Sequence, residues 1–165
     1  MALDLPSGSR CFVDANILYY HFVETPPFSD PCSIFIQRVL AGELAAFTSA
    51  SVLAEATHKI MLAEAAARFE LQRANLVNWL ANHRARIQEL TAFRAAAGEL
   101  AAWPLVLLPA DGAGLTQATA ISQQNGLLTN DALIVALMRQ HGLIHLVTND
   151  NDFDPLTGLT IWKPR

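Results

Sequence analysis

The sequence predicts an α/β fold with a central, mostly parallel β-sheet that helices cover on both faces. The order of the segments predicts the fold class, and the length and the composition of the chain predict a single folded domain. Short apolar runs alternate with longer helical stretches, which is the pattern of βαβ units. The chain has 165 residues, close to the size of one domain, so residues 1–165 are expected to form a single domain. Finally, 52% of the residues are hydrophobic, enough to bury a full core, and this excludes an intrinsically disordered chain.

Five short apolar runs are expected to be strands. They lie at residues 10–14, 44–48, 105–108, 144–148 and 159–162. The third run, LVLL, is apolar throughout, which is typical of a buried parallel strand. A helix is expected directly after the first strand, and a second one before the next strand, capped by Ser29 or Asp30.

The middle of the chain is expected to be helical over a long stretch, because residues 60–102 contain 13 alanines and no proline. Three helices are expected there, at about residues 51–69, 74–86 and onward to 102. Two more helices follow the third strand. Asp111 can cap the first of them and Gly126 can close it, while Asn130 or Asp131 can open the second.

The charge of the chain limits its possible partners. Its 11 basic and 15 acidic residues give a net charge of −4, which excludes attraction of nucleic acid by the molecule as a whole. Any nucleic-acid function must therefore be local. Charged residues make up only 16% of the chain, against about 25% in typical soluble domains, so another chain is expected to cover part of the surface.

The sequence also predicts a compartment. The amino terminus has neither the basic start nor the apolar stretch of a signal peptide, and no run of about 18 apolar residues is present. Cys11 and Cys32 lack the spacing of a metal site or a redox pair, and indicate core residues in a reducing environment. A cytoplasmic protein without a membrane partner is expected.

Four acidic residues fall where predicted strands end or the following helices begin. They are Asp14, Glu55, Asp131 and Asp150, with Asp152 close behind the last. Because the carboxyl ends of parallel strands meet at one edge of a sheet, these side chains are expected to converge. Carboxylates at close range repel one another, and a hard divalent cation such as Mg²⁺ offsets that repulsion with oxygen ligands.

Each of these acids also has a purely structural explanation. Asp131 can be a helix N-cap, and Glu55 can form a surface pair with Lys59 one turn later. The acids within residues 150–154 can be turn residues after a strand, which is the preferred explanation for Asp154. Their joint occurrence, rather than any single residue, indicates a site.

Four segments of the chain resemble, in order, the four acidic motifs of PIN domains, the group that includes VapC-type toxins. They are residues 12–21 (FVDANILYYH), 48–59 (TSASVLAEATHK), 127–137 (LLTNDALIVAL) and 146–154 (LVTNDNDFD). The resemblance extends from about residue 10 to residue 162. One such motif is weakly specific, but four in order are fairly specific.

The resemblance implies a three-layer α/β/α fold with a central, mostly parallel sheet, and an endoribonuclease that depends on Mg²⁺ or Mn²⁺. The acidic motif positions match Asp14, Glu55, Asp131 and Asp150, a further acidic position matches Asp152, and the assisting polar positions match Asn16 and Thr148. The chain departs from the compact toxins in an extended helical insert at about residues 60–103, which leaves its partner and its substrate more open than its chemistry.

On this basis Asp14, Asp131 and Asp150 are expected to ligate the metal directly, and Glu55 and Asp152 to ligate it or to orient its bound water. An RNA phosphodiester would then be hydrolysed by in-line attack. The resemblance further implies the toxin of a type II toxin–antitoxin pair, with an antitoxin as partner, and the sparse surface charge favours a homodimer. The five histidines lack ligand spacing and are expected to be structural.

The RNA requires a local positive surface, and the insert contains several basic residues. They are Arg68, Arg73, His83, Arg84, Arg86 and Arg94. A solvated helix face is the preferred explanation, because four glutamates share the same segment. Reversing the charge of Arg84 and Arg86 separates the two explanations, since only phosphate contacts would make RNA binding weaker and less dependent on salt.

Several other functions are alternatives to a nuclease, and the sequence lacks features that most of them require. A receiver domain needs a lysine beside its acidic pocket, and neither Lys59 nor Lys163 is expected there. A haloacid-type phosphatase needs DxD after its first strand, whereas this chain has Asp14-Ala15-Asn16. Nucleotide-binding glycine loops are absent. A related RNA-processing protein without an antitoxin, or a non-catalytic module that binds RNA or protein, is the main alternative to a toxin.

Overall fold

Five short strands form one parallel sheet in the computed structural model, which describes residues 2–72 and 74–165. The strands of this described part are β1 (Arg10–Val13), β2 (Ala45–Ser49), β3 (Val106–Leu108), β4 (His145–Val147) and β5 (Thr160–Trp162). Their order in the sheet is β3-β2-β1-β4-β5, and every neighbouring pair is parallel. The predicted α/β class with a central parallel sheet is confirmed.

Helices connect most of the strands and flank the sheet. They are α1 (Ala15–Phe22), α2 (Ser29–Leu40), α3 (Ala50–Arg68), α4 (Leu76–Asn82), α5 (Arg84–Ile87), α6 (Ala92–Ala102), α7 (Gly112–Asn125) and α8 (Thr129–Gln140). Across residues 2–72 and 74–165, no helix combines the length and the apolar character needed to cross a bilayer.

The strand order determines where the helices lie. From β1 the chain adds β2 and β3 on one side, and then returns to place β4 and β5 on the other side of β1. Right-handed crossovers therefore put α1 to α6 on one face of the sheet and α7 with α8 on the opposite face. Consistent with cover on both faces, the consecutive β1 residues Cys11, Phe12 and Val13 are all fully buried.

The strand order reverses between β1 and β4, which pair with Phe12 opposite Leu146. In open parallel sheets, ligands bind beyond the carboxyl ends of the strands at this reversal. Here the two segments that leave this point begin at Asp14 and at Thr148. The topology thus brings the first and the last acidic motif side by side.

The long helical region is confirmed, with one more break than expected. The chain leaves helical geometry at His83, which has φ −123° and ψ 51°, so the predicted helix at 74–86 is divided into α4 and α5. The ends of α3, α4 and α6 pack around a separate group of buried residues, which are Ala65, Leu76, Leu80 and Leu90. This region therefore has a small apolar cluster beyond the main core.

A glutamate on α3 caps the start of α6. Glu64 accepts hydrogen bonds from the backbone N–H groups of Thr91 (2.7 Å), Ala92 (3.0 Å) and Phe93 (3.0 Å). Burial alone would raise the pKa of Glu64, but these three donors and Arg68 outweigh it and hold the pKa below its ordinary value. The contact satisfies backbone donors that a helix start leaves unpaired, and it ties α6 to α3.

Glu64→Gln is expected to lower the free energy of unfolding by about 1 kcal/mol, because an amide replaces a charged acceptor at a helix start. The pKa of Glu64 is lowered on folding, so its contribution is present at neutral pH and disappears as the pH falls below the ordinary carboxyl range. Urea unfolding at pH 7 measures the effect, with the exposed Glu99→Gln as the matched control. Equal stability of the two variants would contradict the capping role.

The expectation of a buried third strand is wrong. β3 is an edge strand that pairs only with β2, and the exposed fractions of Val106 and Leu107 are 47% and 52%. An uninterrupted apolar run indicates a strand but does not reveal its place in the sheet. Only Leu108, at the carboxyl end of β3, is buried.

Two helices begin earlier than their predicted caps. α2 starts at Ser29 with Phe28 as N-cap, and α8 starts at Thr129 with Leu128 as N-cap; neither cap makes a side-chain hydrogen bond. The preference of Asp for cap positions did not decide these boundaries. Asp131 is therefore not a cap but the third residue of α8, so the N-cap explanation for it is excluded.

Candidate functional site

Asp14 is the fixed point of the site. It follows β1, caps α1, and is only 7% exposed. Its Oδ1 accepts a hydrogen bond from the backbone N–H of Ala15 at 2.6 Å. Its Oδ2 accepts two more, from the Thr148 hydroxyl at 2.6 Å and the Asn16 amide at 2.8 Å. A buried carboxylate with three donors is held in one orientation.

The segment after β4 completes this network. The Thr148 hydroxyl, which donates to Asp14, also accepts from the backbone N–H of Asp150 at 3.0 Å and from the Asn16 amide at 3.1 Å. The Asn16 carbonyl oxygen accepts from the backbone N–H of Asn149 at 3.0 Å. The hydroxyl of Thr148 thus uses its donor and both of its acceptor positions. Asn16 and Thr148 lie where the sequence placed them, beside Asp14.

Glu55, Asp131 and Asp150 line one cleft of about 390 Å³. They come from the second turn of α3, the first turn of α8 and the segment after β4. Leu128, Thr129 and Asn130 form the remaining wall. We call this space the acidic cleft.

The charges of the four other predicted acids act on Asp131. Burial raises its pKa first, and the negative charges of its neighbours raise it further, to about 6. In decreasing order these neighbours are Asp150, Asp14, Glu55 and Asp152. The pKa of Asp14 is also above its ordinary value, mainly because of burial, although its hydrogen bonds oppose that change. Glu55, Asp131 and Asp150 therefore lie together in the acidic cleft, and the charges of Asp14 and Asp152, which do not line it, reach Asp131.

Asp152 occupies the margin of this group. It is exposed, it does not line the acidic cleft, and its backbone N–H donates to Asp150 Oδ1 at 2.9 Å. This hydrogen bond is the turn contact that the structural explanation proposed for Asp150. The turn orients Asp150 without removing it from the cleft, so both explanations hold for that residue.

The surface pair of Glu55 with Lys59 that the sequence offered is present, with the Lys59 ammonium group 2.7 Å from Glu55 Oε1. Sequence reasoning missed only that Lys59 lies beside the acidic site, where its charge acts on Asp14. Burial lowers the pKa of Lys59, but the hydrogen bond and charge of Glu55, with Asp14, outweigh it and raise that pKa. The signal was present in the sequence, since a residue one turn after Glu55 shares its helix face.

Asn149 was also missed. Besides its backbone contact with Asn16, its side-chain amide donates to the hydroxyl of Tyr20 at 3.2 Å. It therefore joins the segment after β4 to α1. An asparagine in a run of Asn and Asp residues is a common turn residue, and nothing in its spacing distinguishes it.

The acidic cleft has the donor chemistry of a hard divalent cation. Its acids supply only oxygen, and Lys59 is paired with one of them, which leaves a net negative charge. Among the described residues, no three His, Cys, Asp or Glu side chains are grouped so that they could hold a metal ion as they stand. An open arrangement fits Mg²⁺ better than a closed protein cage, because Mg²⁺ keeps several waters and takes few protein carboxylates.

A family comparison accounts for this arrangement. The model of the PIN domain family matches residues 11–159, which is most of the chain. The chain belongs to the PIN domain family. PIN domains are nucleases, so the acids that converge here match the chemistry of the family. No curated protein is detectably similar in sequence to this PIN domain.

Solved structures share the fold of this PIN domain. The VapC20 toxin of Mycobacterium tuberculosis, described as cleaving the sarcin–ricin loop, superposes with a TM-score of 0.56 at 20% identity, covering 87% of this chain and 92% of that one. The protein PAE2754 of Pyrobaculum aerophilum gives 0.52 at 19% identity, with coverage of 93% and 90%. VapBC2 of Rickettsia felis, solved with promoter DNA, gives 0.50 at 15%, with coverage of 93% and 98%. At these identities the likeness shows the fold.

Lys163 and two of the histidines have contacts that indicate structural roles in this PIN domain. Lys163 is 7% exposed and binds Asn151 at 2.6 Å and Asp154 at 2.7 Å, which supports a structural role for Asp154. No histidine lines the acidic cleft as the structure describes it. Two of them have clear structural partners: His83 stacks on Trp79, and His145 accepts a hydrogen bond from Trp162.

The basic residues of the helical region are exposed but partly neutralised. Arg86 pairs with Glu89 at 2.9 Å, and Arg68 approaches the same carboxylate at 3.9 Å. Arg84 and Arg94 are exposed, and Arg73 lies outside the described residues. These contacts favour the solvated helix face over a continuous phosphate-binding surface.

Proposed function

We propose that this PIN domain is an endoribonuclease that uses Mg²⁺ or Mn²⁺ to hydrolyse RNA phosphodiesters. The observation that carries the proposal is the acidic cleft, where Glu55, Asp131 and Asp150 line the same space. Burial and the acids of the three other motifs raise the pKa of Asp131 there. An excess of negative charge in a partly buried cleft destabilises the folded protein, and such clusters are common at sites that bind a cation.

In this proposal Asp14, Asp131 and Asp150 hold the metal, and Glu55 and Asp152 assist them. A bound divalent ion supplies positive charge beside the scissile phosphate and makes water a nucleophile near neutral pH. The residues of the chain prepare this site in advance. Asp14 Oδ2 accepts two hydrogen bonds and Oδ1 accepts one, so Oδ1 is the oxygen with acceptor capacity left for a ligand.

Lys59 has a different task in this proposal. An RNA phosphate approaching the acidic cleft is repelled by the carboxylates. The ammonium group has three N–H donors, and its contact with Glu55 uses one of them. The remaining donors can bind a phosphate oxygen at the entrance, while the pairing with Glu55 keeps the side chain in place.

Metal-dependent cleavage of a structured RNA tests this proposal. Wild-type protein is expected to cut the RNA with Mg²⁺ or Mn²⁺ and to stop when EDTA is added. Asp14→Asn and Asp131→Asn are each expected to slow cleavage by roughly 100-fold or more, because each removes a ligand charge. Asp4→Asn, at an exposed position outside the cleft, is the matched control and is expected to cut at the wild-type rate.

If the two site variants cut as fast as wild type, the assignment of the site is wrong. A wild-type protein that binds the RNA but does not cut it with either metal would instead support the non-catalytic alternative. Cleavage that persists in EDTA would contradict the metal requirement alone.

We further propose that the protein is the toxin of a type II pair, acts in the cytoplasm and forms a homodimer. The support is that several structures with the same fold are toxins or toxin–antitoxin complexes, among them one from Klebsiella pneumoniae. Exposed apolar residues such as Val106 and Leu107 on β3 fit a covered surface. Light scattering that gives a monomer of 18.0 kDa would contradict the dimer. Growth unaffected by expression of an active nuclease would favour an RNA-processing role without an antitoxin.

A further inference from the structure

A second cleft, of about 320 Å³, lies beside the acidic cleft. We call it the aromatic cleft. Asn16 and Lys59 belong to its wall, and both also contact the acids, since Asn16 donates to Asp14 and Lys59 pairs with Glu55. None of the described residues lines both clefts, but these two contacts make Asn16 and Lys59 the polar boundary of the aromatic cleft toward the acids.

The interior of the aromatic cleft is mainly apolar. Leu62, Ala63 and Leu76 line it from α3 and α4, and Leu76 is only 3% exposed. Tyr20 forms an aromatic wall whose orientation is fixed at two points. Its hydroxyl accepts a hydrogen bond from Asn149, and its ring packs against Phe28 with centroids 5.0 Å apart. A half-exposed tyrosine held in this way presents a preformed surface for a flat ring.

We infer that the aromatic cleft is a subsite for the base of the nucleotide next to the scissile phosphate. This inference rests on the proposed ribonuclease function. Single-stranded RNA is recognised mainly by bases that leave the stack and pack on aromatic side chains. The cleft volume is at the low end of the range for ligand pockets, which suits one ring system rather than a longer segment.

The position of Lys59 favours a nucleotide over a protein side chain. The ribose of a nucleotide holds its phosphate within a short range of distances from the base, so a base in the aromatic cleft places that phosphate near the polar boundary. The ammonium group of Lys59 stands at this boundary, and its charge reaches Asp14 in the acidic site. An aromatic residue of a protein partner would fill the same cleft but would leave the remaining donors of Lys59 without a partner.

Binding of mononucleotides tests the inference without cleavage, because they contain no internal phosphodiester. AMP, GMP, CMP, UMP and ribose 5-phosphate are titrated into the full chain in EDTA and followed by amide NMR. At least one nucleotide is expected to bind roughly tenfold more tightly than ribose 5-phosphate, since stacking of the base on an aromatic side chain strengthens binding. The shifts are expected at Tyr20, Lys59 and Ala63.

Ala63→Phe is expected to fill the aromatic cleft and to weaken nucleotide binding roughly tenfold or more. Ala67→Phe, on the same helix but exposed, is the matched control and is expected to bind like wild type. If Ala63→Phe does not fold, Tyr20→Leu replaces it, and Tyr20→Phe is its control because the ring is kept. Thermal unfolding shows which variants are folded.

Three outcomes would overturn the subsite. In the first, ribose 5-phosphate binds as tightly as every nucleotide. In the second, Ala63→Phe binds nucleotides as well as Ala67→Phe does. In the third, N-acetylphenylalanine amide binds while all nucleotides fail to bind. The last result would assign the cleft to a protein partner. Failure of the proposed function has a different signature, because RNA would then stay uncut by wild-type protein while nucleotides still bound in the aromatic cleft.

Discussion

Asp131→Asn is expected to stabilise the metal-free protein at pH 7 by about 1–2 kcal/mol while it slows RNA cleavage by roughly 100-fold or more. The reason is that Asp131 is ionised at pH 7 in a cleft that disfavours its charge. Burial and the neighbouring acids raise its pKa from 3.8 to about 6. The full rise in the pKa of Asp131 corresponds to a free energy of nearly 3 kcal/mol. Because Asp131 is partly exposed to solvent, the expected gain in stability is reduced to about 1–2 kcal/mol.

The sign of the pH dependence follows from the raised pKa. Between about pH 4 and pH 6 the folded protein holds a proton on Asp131 that the unfolded chain has released. This contribution to stability is therefore complete below about pH 4 and is lost as the pH rises through about 6. An asparagine at this position cannot ionise, so the Asp131→Asn variant does not lose this stability. The difference in the free energy of unfolding between the variant and wild type should therefore grow as the pH rises from about 4 to about 6.

Urea unfolding in EDTA at several pH values between 4 and 8 measures this difference. Asp4→Asn is the control, because the residue is exposed and lies away from the acidic cleft. Mg²⁺ should stabilise wild type more than Asp131→Asn, since at a given concentration the ligand that binds the folded state more tightly raises its stability more. A variant that is less stable than wild type at pH 7 would show that Asp131 supports the fold rather than a metal.

Thr148→Val is expected to lower the free energy of unfolding by about 2–4 kcal/mol and to slow cleavage strongly. The substitution keeps the shape of a fully buried side chain but removes its hydroxyl. Asp14 then loses its 2.6 Å donor, and the backbone N–H of Asp150 loses its acceptor. Because this hydrogen bond lowers the pKa of Asp14, its loss should raise that pKa further and weaken metal binding.

Thr48→Val is the matched control for this prediction. Thr48 is also fully buried, but its hydroxyl donates to the neutral carbonyl oxygen of Val13 at 3.0 Å. The expected loss is about 1 kcal/mol, with cleavage unchanged. Equal losses of stability and activity in both variants would contradict a specific role of Thr148 in holding Asp14.

Local sequence signals predicted the ends of a helix correctly where a single residue determines that end. Asp111 caps α7, its Oδ1 accepting from Gly114 at 2.7 Å, and Gly126 closes that helix with φ 71°. The failures have a different origin. The edge position of β3 depends on which strands lie beside it, and the starts of α2 and α8 depend on the backbone before them rather than on the nearest Ser or Asp.

The same division applies to the site. Asp14 could be predicted because it ends a strand at the ligand-binding edge of a parallel sheet. Asn16 and Thr148 were assigned only through the resemblance to PIN domains. Lys59 and Asn149 could not be assigned so easily, since an i,i+4 pair and a turn asparagine are common on any surface. The aromatic cleft was beyond prediction, because Tyr20 and Ala63 meet only after α1 and α3 have packed against each other.

Anomalous diffraction from a crystal of the protein soaked in Mn²⁺ tests the metal site most directly. The account predicts a peak in the acidic cleft within coordination distance of Asp14, Asp131 and Asp150, and no such peak in the Asp131→Asn variant. A fully occupied Mn²⁺ elsewhere on the protein, with none in the acidic cleft, would contradict the account.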